Sequence, residues 1–196
     1  MRIKILGDII SKTDQSKTNY NHGIYSMFIA NLDEPLSSNI HNQNSKEYRL
    51  FTFSNVYIKD NKFHLYISGV DYIILNFINN IEKNNIVRIE DMVLVIKKIV
   101  PCKELIKKDR YLLKGRVIAT EVIDGKKKLL IENKDINEKL KKVSQGKLKV
   151  SNINGNIEFD VLKKTLKTSR YKAIKYIYDV GIGENTSTGH GLMWEV

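Results

Sequence analysis

Over residues 1–100 the spacing of apolar residues switches repeatedly between alternation and helical periodicity, and the order of those switches is the tightest constraint on the fold. Residues 1–10 alternate as a strand does, and the polar run 11–19 reads as a loop. Ile24, Tyr25, Phe28, Ile29 and Leu32 then recur at helical spacing, with Asn21 as the expected N-cap. Asp33-Glu34-Pro35 starts a shorter helix with proline in its first turn, and Leu36 and Ile40 form its inward pair. Residues 49–58 and 62–68 read as two strands about the turn Asp60-Asn61, the second with Phe63, Leu65 and Ile67 on one face. Helical spacing returns over residues 71–81, and residues 87–100 read as one closing strand rich in β-branched side chains.

Strand, helix, strand, strand, helix, strand is the order of a ferredoxin-like unit. It repeats less cleanly from Arg110: a strand over 111–120, a small hairpin about Asp124-Gly125, and a helix over 134–143. Two strands flanking Asn154-Gly155 follow, that dipeptide being a strong hairpin signal. A helix over about 170–180, capped by Ser169 and stopped by Gly181, leads to a last strand at 192–196. The expectation is an α+β chain of two tandem ferredoxin-like (RRM-like) domains with antiparallel sheets, residues 1–101 and 102–196, divided at Pro101.

At 196 residues, with 42% of them hydrophobic and no low-complexity tract, the chain can bury a sizeable core. Its apolar runs are far shorter than the roughly 20 residues of a membrane helix, and the start lacks a signal-peptide core, so a cytoplasmic location away from membranes is expected. Cys102 is the only cysteine, which excludes an internal disulfide and a thiolate zinc cluster. Any metal would need histidines and carboxylates, and neither a metal nor a cofactor is expected. Net charge is +11, but residues 1–96 hold 10 basic and 10 acidic side chains while 97–196 hold 23 and 12. An excess confined to the second half points to a polyanion, since Lys and Arg gain affinity by releasing counterions from phosphates. A solvated lysine surface is the plainer reading of the same charge.

Two adjacent segments narrow the choice. Between Gly181 and Gly191 stand four of the 11 glycines, and such a loop can turn its N–H groups towards phosphate oxygens. It follows a helix and no Gly-Lys-Ser/Thr completes it, which argues against a P-loop or a dinucleotide fingerprint. Just upstream, Lys163, Lys164, Lys167, Arg170, Lys172 and Lys175 occur with no acidic residue between Asp160 and Asp179. Tyr171, Ile174 and Ile177 fall on the inward stripe of the helix, which turns Lys172 and Lys175 outward. A cationic surface running into a glycine loop suits an RNA backbone. A tight loop packed on a sheet, beside a merely solvated face, is the alternative.

The ending Gly-Ile-Gly-Glu-Asn-Thr-Ser-Thr-Gly-His-Gly-Leu (181–192) resembles the C-terminal glycine-rich motif of the CRISPR-associated repeat-processing endoribonucleases, in the repeat-associated RNA-binding superfamily. Tyr20-Asn21-His22 and Arg49-Leu50-Phe51-Thr52-Phe53-Ser54 also resemble that family. The resemblance implies a metal-independent cut of CRISPR repeat RNA (pre-crRNA), with the substrate's 2′-hydroxyl as nucleophile, leaving a 2′,3′-cyclic phosphate and a 5′-hydroxyl. A non-catalytic repeat-RNA-binding subunit of the superfamily is the alternative. Other subunits of a CRISPR effector complex are candidate partners, and the oligomeric state stays open between monomer and homodimer.

His41 falls where the family places its catalytic histidine, at the end of the short helix and the start of a polar run. A helix C-terminus favours imidazolium, which suits a general acid. Tyr25 matches a helix from which some relatives bring a tyrosine near the 2′-oxygen, although its apolar face also suits plain packing. Arg49 stands where relatives carry a lysine, with Lys46 and Tyr48 as rivals for offsetting phosphorane charge. On the RNA-binding side the resemblance implies Gly181, Gly183, Ser187, Gly189, His190 and Gly191 together with the upstream cations. His190 occupies a slot where relatives often carry an aromatic residue.

Overall fold

The structure is a computed structural model that describes residues 1–14, 19–41, 50–106, 110–112, 119–160, 165–168 and 171–182. Strand β1 (Arg2–Lys12) is central to the first sheet, pairing antiparallel with β4 (Lys62–Gly69) on one side and β6 (Met92–Pro101) on the other. Helix α1 (Asn21–Ala30) and the short α2 (Leu36–His41) follow it. Edge strands β2 (Phe51–Phe53) and β3 (Tyr57–Lys59) both pair with β4. Helix α3 (Asp71–Ile81) and strand β5 (Ile86–Ile89) precede β6, giving a six-stranded sheet of order β2-β4-β1-β6-β5, with β3 beside β4. Without its extra strands this is the antiparallel ferredoxin-like sheet, and the α+β fold expected from the sequence is the one observed.

Alternation along β1 and β4 sorts their side chains onto two faces. Ile3 and Ile5 of β1, with Phe63, Leu65 and Ile67 of β4, are buried against Ile24, Phe28, Ile74 and Phe77 from α1 and α3. Phe28 packs at 4.6 Å from Phe51 and 4.8 Å from Phe77 between ring centroids. Each such ring contributes roughly 2–3 kcal/mol by leaving water. Where β1 shifts register between Leu6 and Gly7, a Cβ on Gly7 would stand 1.9 Å from the Val95 carbonyl oxygen, so only glycine lets β6 approach.

Three local expectations are corrected in this half. Asn21 is the first residue of α1 rather than its cap; Asn19 Oδ1 accepts from Asn21 N at 3.1 Å instead. The run 87–100 is a hairpin rather than one strand, turning at Glu90 with φ of 55°. The Glu90 carboxylate accepts from Gly23 N at 3.0 Å, placing a negative charge at the start of α1. Residues 49–58 do not form one strand: β2 and β3 are separated at Ser54-Asn55, where Ser54 Oγ accepts from Tyr66 N at 2.9 Å and Asn55 Oδ1 from Val56 N at 3.0 Å.

The second half builds its own cluster, which includes Leu105, Tyr111, Leu140, Leu148, Ile157, Ile174 and Ile177. Strands β7 (Arg110–Leu112), β10 (Ile157–Asp160) and β11 (Thr165–Thr168) form a sheet of order β10-β11-β7. Strands β8 (Thr120–Ile123) and β9 (Lys126–Leu129) form the separate hairpin about Asp124-Gly125. Helix α4 (Asn133–Val150) is longer than the predicted 134–143. The apparent strand before Asn154-Gly155 is its last turns, because Leu140, Val143, Ser144, Lys147 and Leu148 continue one buried stripe at helical spacing. Asn154-Gly155 therefore joins α4 to β10, and the hairpin is β10–β11. Helix α5 (Tyr171–Val180) stops at Gly181, whose φ is 86° and whose N–H bonds to Ile177 O at 2.9 Å. The predicted cap Ser169 and last strand 192–196 lie outside the described residues. No described helix is long and apolar enough to cross a membrane.

Candidate nucleic-acid interface

Tyr25 and His41 stand on adjoining helices over the inner face of the first sheet. Tyr25 is half-buried, its ring stacked on Phe51 at 6.2 Å and 17°. Leu36 and Ile40 of α2 pack on the same apolar cluster, as the sequence spacing predicts, and His41 is the last residue of α2. The chain re-enters at Leu50, next to the Phe51 ring on which Tyr25 lies. Residues 42–49, with Lys46, Tyr48 and Arg49, lie outside the described residues, as does the His41 side chain. Among the other histidines, His22 is exposed on α1 and His64 sits on the outer face of the sheet.

At the other end, Lys172 is exposed on α5, as its helical position predicts. Lys175 is more committed: its Nζ lies 3.2 Å from the Asp179 carboxylate and 3.9 Å from that of Glu104. These acids raise its pKa against the lowering effect of burial. Lys167 is a β11 residue whose side chain is not described. Lys163, Lys164, Arg170, Gly183, Ser187, Gly189, His190 and Gly191 lie outside the described residues.

Lys147 is a functional candidate that the pattern reading missed. It lies on the buried stripe of α4, 2% exposed, and its Nζ donates to Gly181 O at 2.8 Å. Burial lowers its pKa to about 7. The amine sits at the C-terminal end of α5, where the helix dipole favours its protonated form, and in either form it pins by its hydrogen bond the residue from which the glycine-rich segment departs. The available signal was the 3.6-residue stripe continuing through Lys147, which an alternating Lys147-Leu148-Lys149-Val150 disguised.

The halves meet where α5 lies on the outer face of the first sheet. Arg2 is 4% exposed there; its Nε donates to Ser68 Oγ at 3.2 Å, its Nη2 to Tyr178 O at 2.8 Å, and its guanidinium carbon lies 3.8 Å from the Tyr178 ring centroid. Desolvation lowers the Arg2 pKa, opposed chiefly by Tyr178 and Asp179, and a guanidinium remains charged through such a shift. Beside this clamp a cavity of about 220 Å³ is lined by residues including Arg2, Cys102, Glu104, Lys175 and Asp179, a set of balanced charge. Among the described residues no three His, Cys, Asp or Glu side chains are grouped to hold a metal ion.

No protein-family model matches the chain, and no curated protein matches it. Solved structures do. The product of a Cas6-related gene from Pyrococcus furiosus superposes with a TM-score of 0.78 at 19% identity, covering 100% of this chain and 98% of that one. A CRISPR-associated protein Cas6 gives 0.76 at 22% identity, covering 100% and 99%. A RAMP protein described as binding different RNA substrates gives 0.73 at 17% identity, again covering 100% and 99%. At these identities the likeness is one of fold, and it runs the whole length of each chain.

Proposed function

We propose that the chain binds CRISPR repeat RNA and cuts it as a metal-independent endoribonuclease. The observation that carries this reading is the full-length match to Cas6 structures, on a chain whose glycine-rich ending and basic second half already point to RNA. The lobe of residues 1–101 supplies the cutting groups, and the lobe of 102–196 most of the affinity.

In this mechanism the substrate's 2′-oxygen attacks the adjacent phosphorus, the bond from phosphorus to the 5′-oxygen breaks, and the products are a 2′,3′-cyclic phosphate and a 5′-hydroxyl. One proton must leave the 2′-hydroxyl and one must reach the departing 5′-oxygen. An imidazole serves both transfers near neutrality because its ordinary pKa is about 6.5. We assign that work to His41. Tyr25 orients the 2′-hydroxyl, and Arg49 or its neighbour Lys46 offsets the charge that gathers on the phosphorane. Lys163, Lys164, Lys167, Arg170, Lys172 and the glycine-rich segment hold the phosphates.

The test is a repeat transcript incubated with the protein in excess EDTA, resolved on a denaturing gel with its ends mapped. Cleavage with a cyclic phosphate is expected, and His41→Ala abolishes it while RNA binding persists. A strict magnesium requirement refutes the mechanism. The likeness to a RAMP protein described as binding different RNA substrates favours a second reading, a non-catalytic subunit. Binding without any cleavage would select it.

A further inference from the structure

Helix α2, which ends at His41, is only six residues long, too short to hold its shape or its place without outside contacts. Leu36 and Ile40 pack one stripe of it on the apolar cluster, and a single stripe fixes depth better than direction. Direction comes from Asp33, just ahead of the helix. Its main-chain oxygen accepts from Leu36 N and Ser37 N, both at 3.0 Å. An aspartate in this place commonly turns its carboxylate onto its own helix, but here both carboxylate oxygens accept from α3. Oδ1 takes a hydrogen bond from Asn80 Nδ2 at 2.8 Å and Oδ2 one from Asn76 Nδ2 at 2.5 Å. Asp33 N donates in return to Asn76 Oδ1 at 3.0 Å. Asn76 and Asn80 stand about one turn apart on α3, a helix anchored in the core by Ile73, Ile74, Phe77 and Ile81. Lys83 Nζ donates to Asn80 Oδ1 at 2.9 Å, which turns the amide nitrogen towards Asp33.

We propose that Asp33 is a positioning residue for the cut, clamping α2 to α3 through Asn76 and Asn80 and so fixing where His41 stands. The inference rests on the endoribonuclease reading above and adds to it the group that sets the geometry of the proton transfers. At 1.5 Å per residue α2 is about 9 Å long, so a pivot of about 6° at its start moves its end by about 1 Å. A displacement of that size at a reacting group can lower a rate on the order of 100-fold. Leu36 and Ile40 resist part of the pivot, which sets the expected loss nearer to about tenfold. Hydrogen bonds from Asn80 and Asn76 hold the Asp33 carboxyl below the ordinary carboxylate range, so the clamp is ionised near neutral pH.

A residue that acts through a helix should alter the rate of the cut and leave RNA binding alone. Cleavage of a repeat transcript is followed in EDTA with the protein saturating, and affinity for the same RNA by fluorescence anisotropy. Asp33 is exposed, so Asp33→Ala leaves the core intact; it should slow cleavage about tenfold at unchanged affinity. Asn80→Asp sets two carboxylates against each other across the clamp and should slow the cut as much. Combining Asp33→Asn with Asn80→Asp exchanges one donor and one acceptor, so the same bonds can form again, and the rate should return to that of the unaltered protein. A role in general stability alone would leave the rate at saturation unmoved in these folded variants. An unchanged rate in Asp33→Ala, an affinity that falls along with the rate, or a combined variant as slow as Asn80→Asp would each overturn the clamp while leaving the endoribonuclease reading intact. Failure of the unaltered protein to cut the transcript would overturn that reading and the clamp with it.

Discussion

Replacing Lys147 by methionine should change how stability depends on pH, and the sign follows from its burial. In the folded chain its pKa is about 7, against an ordinary 10.5. Below pH 7 the amine is protonated whether the chain is folded or not, so it contributes no slope. Between about 7 and 10.5 the unfolded chain keeps a proton that the folded chain has released, so unfolding takes up a proton and stability rises with pH. Each pH unit in that window adds up to about 1.4 kcal/mol, for a ceiling on the order of 5 kcal/mol across it. The 2.8 Å contact with Gly181 O survives the titration, because a neutral amine still donates. Lys147→Met preserves most of the stem volume and removes only the titration and that donor. Urea unfolding followed by circular dichroism at pH 6, 7, 8 and 9 gives two stability curves. Their difference should be flat on the acid side and climb by about 1 kcal/mol per unit above pH 7. Parallel curves would refute the reasoning, for they would mean that the ammonium is solvated and retains its ordinary pKa.

The clamp between the halves makes a second prediction: Arg2→Met should lose about 3 kcal/mol of stability, the scale for removing a buried cation that holds a main-chain carbonyl and a ring, as read from the urea midpoint. Gly7→Ala should cost about the same, because its Cβ would stand 1.9 Å from a β6 carbonyl oxygen and the sheet would have to part; a midpoint unchanged from that of the parent would contradict the bulge geometry. Glu90→Gln should be mild, about 1 kcal/mol, since the amide oxygen still accepts from Gly23 while the charge at the α1 N-terminus is lost.

What the sequence made legible follows the range of the interaction that decides each feature. The turn Asp60-Asn61, with both φ values positive, the hairpin at Asp124-Gly125 and the stop at Gly181 are set by the residues themselves, and all three are where the pattern predicts. Glu90 is different, because its turn is held by Gly23, 67 positions away. Arg2 reads as an unremarkable strand residue until Tyr178, 176 positions later, closes over it. Tyr25 was legible as a packing position on the apolar face of its helix, but its partner Phe51 was not. The parts given to His41, Lys46, Arg49 and the glycine-rich segment rest on resemblance and stand as proposals.

Charge shows the same limit most sharply. The excess of cations in the second half was the first sign of a polyanion, yet a sequence count cannot separate inward from outward ammonium groups. Lys147 is spent on the Gly181 carbonyl, and Lys175 is shared between Asp179 and Glu104. Both stabilise the seat of α5 and neither is free to displace counterions from a phosphate. The dependence of RNA affinity on salt reports phosphates neutralised, with a log–log slope of about −0.7 for each on a single strand. That slope should therefore count surface cations such as Lys172, and fall well short of the second half's 23 basic residues. Its change on Lys172→Gln, against none on Lys175→Gln, would separate the lysines that hold RNA from those that hold the protein together.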